Sequence, residues 1–233
     1  MVTANTLPDG RNDDMLKTST LYKIDELINR YPELNVCRDT LNEAVDTICK
    51  SFRGGHKLLT CGNGGSASDA MHIVGELMKG FILPRSIKEF DSDFYERLKA
   101  DYPADVEYFA NNLQCALPAI SLVGETALTT AFSNDQAPDL AFAQQVLGIG
   151  NTGDILIAIT TSGNSTNVLH AVKVAKIKGL KTIALTGRTG GKVKDLTDIS
   201  ICVPADSAHT IQEFHLPVYH MLCLAAENEF FTK

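Results

Sequence analysis

The 233-residue chain reads as an α/β protein built on a doubly wound parallel sheet. Three observations predict this. Short, unbroken apolar runs recur: KLLTCG, PAISLV, DILIAIT, KTIALTG and DISICV. Without polar alternation they are strands covered on both faces, as parallel strands are. Segments of helical periodicity separate them, the order that produces right-handed crossovers. Two of the strands end in glycine- or hydroxyl-rich loops leading into helices, at the carboxyl edge where open α/β sheets bind ligands.

Taken in order, residues 1–16 are polar and expected to be flexible, and residues 17–233 form a single domain. Leu21, Ile24, Leu27 and Ile28, then Val36, Leu41, Ala44 and Ile48, recur at helical spacing, which predicts an N-terminal extension of two helices broken near Pro32. The strand KLLTCG follows, then a helix over Ser66–Phe81 with Ser66 as its cap. Residues 84–116 are charged and aromatic and interrupted by Pro103; they read as an insertion of one or two surface helices. Beyond it come the strand PAISLV, helices near Ala127–Phe132 and Leu140–Leu147, the strand DILIAIT, a helix over Ser165–Lys178, the strands KTIALTG and DISICV, and a closing helix over Ser207–Phe230.

Composition narrows the function. At 44% hydrophobic the chain can bury a sizeable core. A net charge of −7 weighs against a nucleic-acid or anionic-membrane surface. No apolar run approaches a membrane span, and the first residues lack the pattern of a signal peptide. The six cysteines form no CxxC pair, so neither a thiolate metal knuckle nor a disulfide framework follows. Several read as buried thiols of a reducing compartment, and a cytoplasmic location is expected.

The two loops carry the chemistry. TCGNGGSASDAMHIVGE places glycines, which let a backbone approach a ligand closely, directly before a helix. It is neither GxGxxG nor a Walker loop. TTSGNST puts six polar residues in seven positions, where a helix cap needs one. Hydroxyls and helix amides can hold a phosphate without lysine.

CGNGGSASDAMH, ITTSGNS, LTGRTGGK and IQEFHLPVYH, in this order over residues 20–230, resemble the sugar isomerase (SIS) domain, and within it the phosphoheptose isomerase family. The resemblance implies a five-stranded parallel sheet flanked by helices and a homotetramer with active sites at subunit contacts. It implies an aldose–ketose isomerase that converts sedoheptulose 7-phosphate to D-glycero-D-manno-heptopyranose 7-phosphate in heptose biosynthesis. It implies substrate contacts from Asn63, Gly64, Gly65 and Ser66, from Asn134 and Asp135, and from Thr160, Thr161, Ser162 and Ser165. His72, Glu76, Gln212 and His220 match a zinc set found in some members, with Glu76 and Gln212 also touching substrate. Glu76 and His220 match the proton-transfer pair.

The residues themselves support part of this. His72 and Glu76, four apart, share one helix face, and imidazole with carboxylate suits zinc. Gln212 and His220 are two turns and a further ~80° apart; spacing alone favours Glu213, and only the resemblance selects Gln212. His170, His209 and His215 are surface or core histidines. An aldose–ketose isomerase needs a base, a proton donor and a stabiliser of the oxyanion. Glu76 and His220 can be the pair, in either assignment.

The chain departs from the family in places. An arginine common after the helical glutamate is missing from GELMKGF, so Lys79 or Arg85 must supply that charge. Ala67-Ser68 stand where His-Cys is usual, and the 84–116 insertion has no counterpart in the shortest relatives. Two other functions fit the fold: a non-catalytic SIS protein that binds a phosphosugar or assists a partner, as does the relative associated with the bacterial replication initiator, or an isomerase of another phosphosugar. The presence of both Glu76 and His220 favours the enzyme.

Overall fold

The computed structural model describes residues 15–232, so most of the segment expected to be flexible lies outside the described residues. The exception is informative. Leu16 packs against the core, and Lys17 hydrogen-bonds Glu229 of the closing helix and Thr232 just past it, so the packed part of the chain includes a residue of the segment expected to be flexible.

The N-terminal extension is α1 (Thr18–Arg30), a 3₁₀ segment Pro32–Cys37 and α2 (Arg38–Arg53). The break falls at Pro32 because proline is well placed to open a helix and not to continue one. Then follow β1 (Leu58–Gly62), α3 (Gly65–Met78), α4 (Ile87–Phe90), α5 (Ser92–Asp101), α6 (Val106–Asn112), β2 (Ala119–Ser121), α7 (Thr126–Asp135), α8 (Ala141–Ile149), β3 (Ile155–Ile159), α9 (Thr166–Ile177), β4 (Lys181–Thr186), β5 (Ile199–Cys202) and α10 (Ala208–Phe231).

The five strands are all parallel, in the order β2-β1-β3-β4-β5. Alternate strand residues serve opposite layers. Leu58, Ile155, Ile157, Ile183 and Leu185 face α1, α2, α3 and α10; Leu59, Cys61, Leu156, Ala158 and Ala184 face α8 and α9. From β1 the chain moves outward to β2, then jumps over β1 to β3 and continues the other way. The carboxyl ends of β1 and β3 therefore flank the point where winding reverses, the crevice where such sheets bind ligands. Both loops singled out in the sequence sit there.

The insertion holds three helices rather than one or two. Ile87, Leu98 and Ala110 make a small core of their own, closed at the base by an antiparallel bridge between Ser86 and Gln114. α3 stops at Met78, short of the expected Phe81. Past its end Arg85, fully buried, donates to the carbonyls of Leu77 (2.6 Å) and Glu76 (3.1 Å), oxygens a longer helix would use itself. Glu227 of α10 accepts from Arg85 Nε and from the amides of Phe81, Ile82 and Leu83, which fixes the turn. Four of the six cysteines are buried, and all six are free. No described helix is long and apolar enough to cross a membrane.

Candidate active site

α3 packs across α10, and this crossing gathers the predicted proton-transfer residues. His72 and Glu76 lie on one face of α3 as their spacing requires, with His72 Nε2 3.2 Å from Glu76 Oε1. Lys79 reaches back to Glu76 Oε2 at 2.9 Å. The charge expected from Lys79 or Arg85 therefore comes from Lys79; Arg85 is committed to Glu227. From α10, the His220 ring meets the His72 ring edge-on at 5.0 Å and the Phe81 ring at 5.2 Å. His72 stands between Glu76 and His220, so the three side chains form one cluster within a single chain.

The electrostatics follow from this packing. Burial pushes the Glu76 carboxyl up, but the hydrogen bond and charge of Lys79, then His72, outweigh it and hold Glu76 below the usual carboxylate range. Glu76 is thus held ionised. Burial, then the neighbouring His72, lowers His220, with Glu76 opposing. Its Nε2 is buried with no hydrogen-bond partner among the described residues.

Sequence reasoning missed the support behind His72. Tyr219, 1% exposed, places its hydroxyl 2.9 Å from His72 Nδ1. Burial, then the charge of Asp69, raises the Tyr219 pKa, so the phenol stays protonated. Only the packing of α3 on α10 reveals these partners; in the sequence Tyr219 is an apolar-stripe residue beside His220.

The β1 loop enters α3 without a side-chain cap: Gly64 occupies the cap position, and the expected cap Ser66 is inside the helix and buried. Gly65 has no room for a side chain, because a Cβ there would lie 2.5 Å from the Gln212 amide. This contact places Gln212 at the glycine loop, whereas Glu213 is exposed. The resemblance thus selects the residue that spacing disfavoured. Gln212 and His220 need not share a stripe, because they meet different parts of α3.

In the β3 loop the four candidate residues divide. Thr160 is buried and its hydroxyl pairs with Ser165 Oγ at 3.0 Å, so it shapes the loop from beneath. Thr161 and Ser165 are half-buried and Ser162 is exposed. Ser165 precedes α9 without capping it through its side chain, which argues against the loop being only a cap. The loop is pressed onto the Gly187–Gly191 turn: Gly187 N donates to Thr161 O and Val193 N to Gly163 O, and a Cβ on Gly163, at φ +67°, would run into Gly190.

Asn134 and Asp135 stand apart. They end α7, exposed and bonded to each other at 2.8 Å. Among the described residues α7 buries none of its side chains. Of the other histidines, His170 pairs with Asp139 at 3.4 Å, His209 is exposed and His215 is buried.

His72, Glu76 and His220 are of the kinds zinc prefers, and the orphaned Nε2 of His220 would welcome an electrophile. The oxygens of Glu76 are held by His72 and Lys79, and among the described residues no three His, Cys, Asp or Glu side chains converge as a metal-holding group. The residues fit zinc in kind; His72 and Glu76 would have to turn from each other to bind it.

Comparison with known proteins identifies the family and the fold. A family model described as the SIS domain matches residues 24–113 and 104–187. The chain is 38% identical over 193 residues to a phosphoheptose isomerase of Synechocystis sp., covering 83% of this chain and 84% of that one. It is 36% identical over 221 residues to a phosphoheptose isomerase of Helicobacter pylori, covering 95% and 98%. The solved phosphoheptose isomerase of Neisseria gonorrhoeae superposes with a TM-score of 0.68 at 30% identity, over 88% of this chain and 94% of that one. The chain belongs to the phosphoheptose isomerase family of SIS-domain proteins.

Proposed function

We propose that this protein is a phosphosugar isomerase that converts sedoheptulose 7-phosphate to D-glycero-D-manno-heptopyranose 7-phosphate for heptose biosynthesis. The observation that carries the reading is the cluster of Glu76, His72 and His220, built on the helix that the glycine loop opens, in a chain 38% identical to a phosphoheptose isomerase. The phosphate is anchored by Thr161, Ser162 and Ser165 and by the amides of Thr166 and Asn167 that open α9, with Thr160 shaping the cradle. Asn63, Gly64, Gly65 and Gln212 hold the sugar, with Ser66 beneath them; Asn134 and Asp135 engage its hydroxyls.

Glu76 takes the proton from the carbon beside the carbonyl and returns it to the neighbouring carbon. Its lowered pKa keeps it ionised for the first step. His220 serves the oxygen, giving and reclaiming the proton as the enediol forms and collapses. His72, braced by Tyr219, holds the two in register. His72, Glu76, Gln212 and His220 would hold a zinc ion, which would supply Lewis-acid polarisation of the carbonyl oxygen. The Tyr219 hydroxyl on the far nitrogen of His72 is the kind of partner that orients a metal-binding imidazole. The enzyme acts as a cytoplasmic homotetramer, in which subunit contacts bring α7, uncovered in one chain, toward a site.

The test is incubation of the purified protein with sedoheptulose 7-phosphate, with added zinc and with a chelator, followed by NMR. The aldose is expected, with metal analysis of the protein showing bound zinc. Tight binding of the sugar phosphate without product would overturn the isomerase in favour of the non-catalytic reading.

A further inference from the structure

The two ligand loops are joined side chain to side chain. Asn63 Nδ2 donates to Asn167 Oδ1 at 2.9 Å, and Asn167 Nδ2 donates to Asn63 Oδ1 at 2.9 Å. Asn63 opens the glycine loop after β1; Asn167 is in the first turn of α9, after the hydroxyl loop. The pair therefore spans the crevice where the winding of the sheet reverses.

A paired amide can usually be turned end for end, which swaps donor and acceptor. Here the backbone removes that freedom. The Val168 N–H donates to Asn167 Oδ1 at 3.0 Å, which fixes the oxygen end of Asn167. With Asn167 set, Asn63 must present nitrogen to that oxygen and oxygen to the Asn167 nitrogen. Each group of Asn63 then has one hydrogen-bonding direction occupied. What remains for a ligand is its second N–H and the second lone pair of its oxygen, aimed by the pairing.

We infer that Asn167 is a positioning residue: through a reciprocal amide pair it fixes which way Asn63 points its donor and its acceptor toward the sugar. The inference rests on the reading of Asn63 as a sugar contact. It gives the first turn of α9 a second task beside the phosphate, tying the sugar-binding loop to the anion-binding one. Without Asn167, Asn63 is exposed and free to turn, and a productive orientation must be selected at each binding event.

A double-mutant cycle on sedoheptulose 7-phosphate turnover tests this. Asn63→Ala and Asn167→Ala should each lower kcat/KM about tenfold, the effect of one well-aimed hydrogen bond. The double variant should be no worse than Asn63→Ala alone, because Asn167 acts only through Asn63. Thermal midpoints should be little changed, since an exposed pair adds little stability; if Asn167→Ala does not fold, Asn167→Ser is read the same way. Additive losses would overturn the inference and assign Asn167 an effect of its own on α9. Damage from Asn63→Ala with none from Asn167→Ala would overturn the inference and leave the role of Asn63 intact. No loss from Asn63→Ala would overturn the role of Asn63, and the inference with it.

Discussion

The α3–α10 crossing and the end of α7 both carry residues proposed for the site, yet they are built in opposite ways. At the crossing Leu77, Tyr219 and Cys223 are core residues, and each reacting group leans on another: Lys79 on Glu76, Glu76 on His72, His72 on Tyr219. At the end of α7, Asn134 and Asp135 are exposed, bonded to each other, on a helix that buries nothing among the described residues. The difference teaches where each part of the site obtains its precision. The groups proposed for proton transfer are held against one another within one chain, whereas the residues proposed to meet the sugar hydroxyls lie on a helix that buries none of its side chains among the described residues.

Substitutions should separate the two regions. The largest effect is expected at Glu76. Glu76→Gln keeps the shape and removes the base, so kcat should fall about a thousandfold, within the range for a lost general base, with folding intact by circular dichroism. Next is the support of the crossing. Arg85→Met strands the buried Glu227 carboxylate with three backbone amides and no cation. Loss of one partner of a buried pair costs about 3–5 kcal/mol, measurable by urea denaturation, and activity should fall with it as the end of α3 loosens.

His215 sharpens the contrast through pH. Burial lowers its pKa from 6.5 to about 4. The unfolded chain then takes up a proton at higher pH than the folded one. Stability from this residue is complete above pH 6.5, declines as pH falls, and is fully lost near pH 4. The loss is about 3 kcal/mol from the size of the shift. His215→Leu should flatten that part of the urea-midpoint profile. α7 lacks any such group and should show the smallest effect. Asn134→Ala or Asp135→Ala should change stability by less than about 0.5 kcal/mol. If they act on the sugar they still lower kcat/KM, by about tenfold for one hydrogen bond. A large stability loss there would erase the distinction between the regions.

Much of this was legible in the sequence, for physical reasons. Buried parallel strands cannot hide their unbroken apolar runs, and Pro32 and Pro103 mark real breaks. The His72–Glu76 pair follows from helical period alone. What stayed hidden depended on packing between distant segments. Nothing local shows that Gly64 rather than Ser66 would occupy the cap position, or that Arg85 would turn inward to Glu227, 142 residues away, and leave Glu76 to Lys79. Gln212 looked worse than Glu213 because a spacing argument presumes one straight stripe, while α10 meets the glycine loop at one place and the middle of α3 at another. The amide pair of Asn63 and Asn167 is equally a product of two loops meeting.

The central claim, that the carboxylate on α3 moves a carbon-bound proton of a phosphosugar, is tested most directly in deuterium oxide. Sedoheptulose 7-phosphate is supplied to the wild-type protein and to folded Glu76→Gln, and the aldose is examined by NMR. The account predicts deuterium at C2 of the aldose from the wild type and aldose formation about a thousandfold slower from the variant. Aldose formed by the variant at the wild-type rate would contradict it.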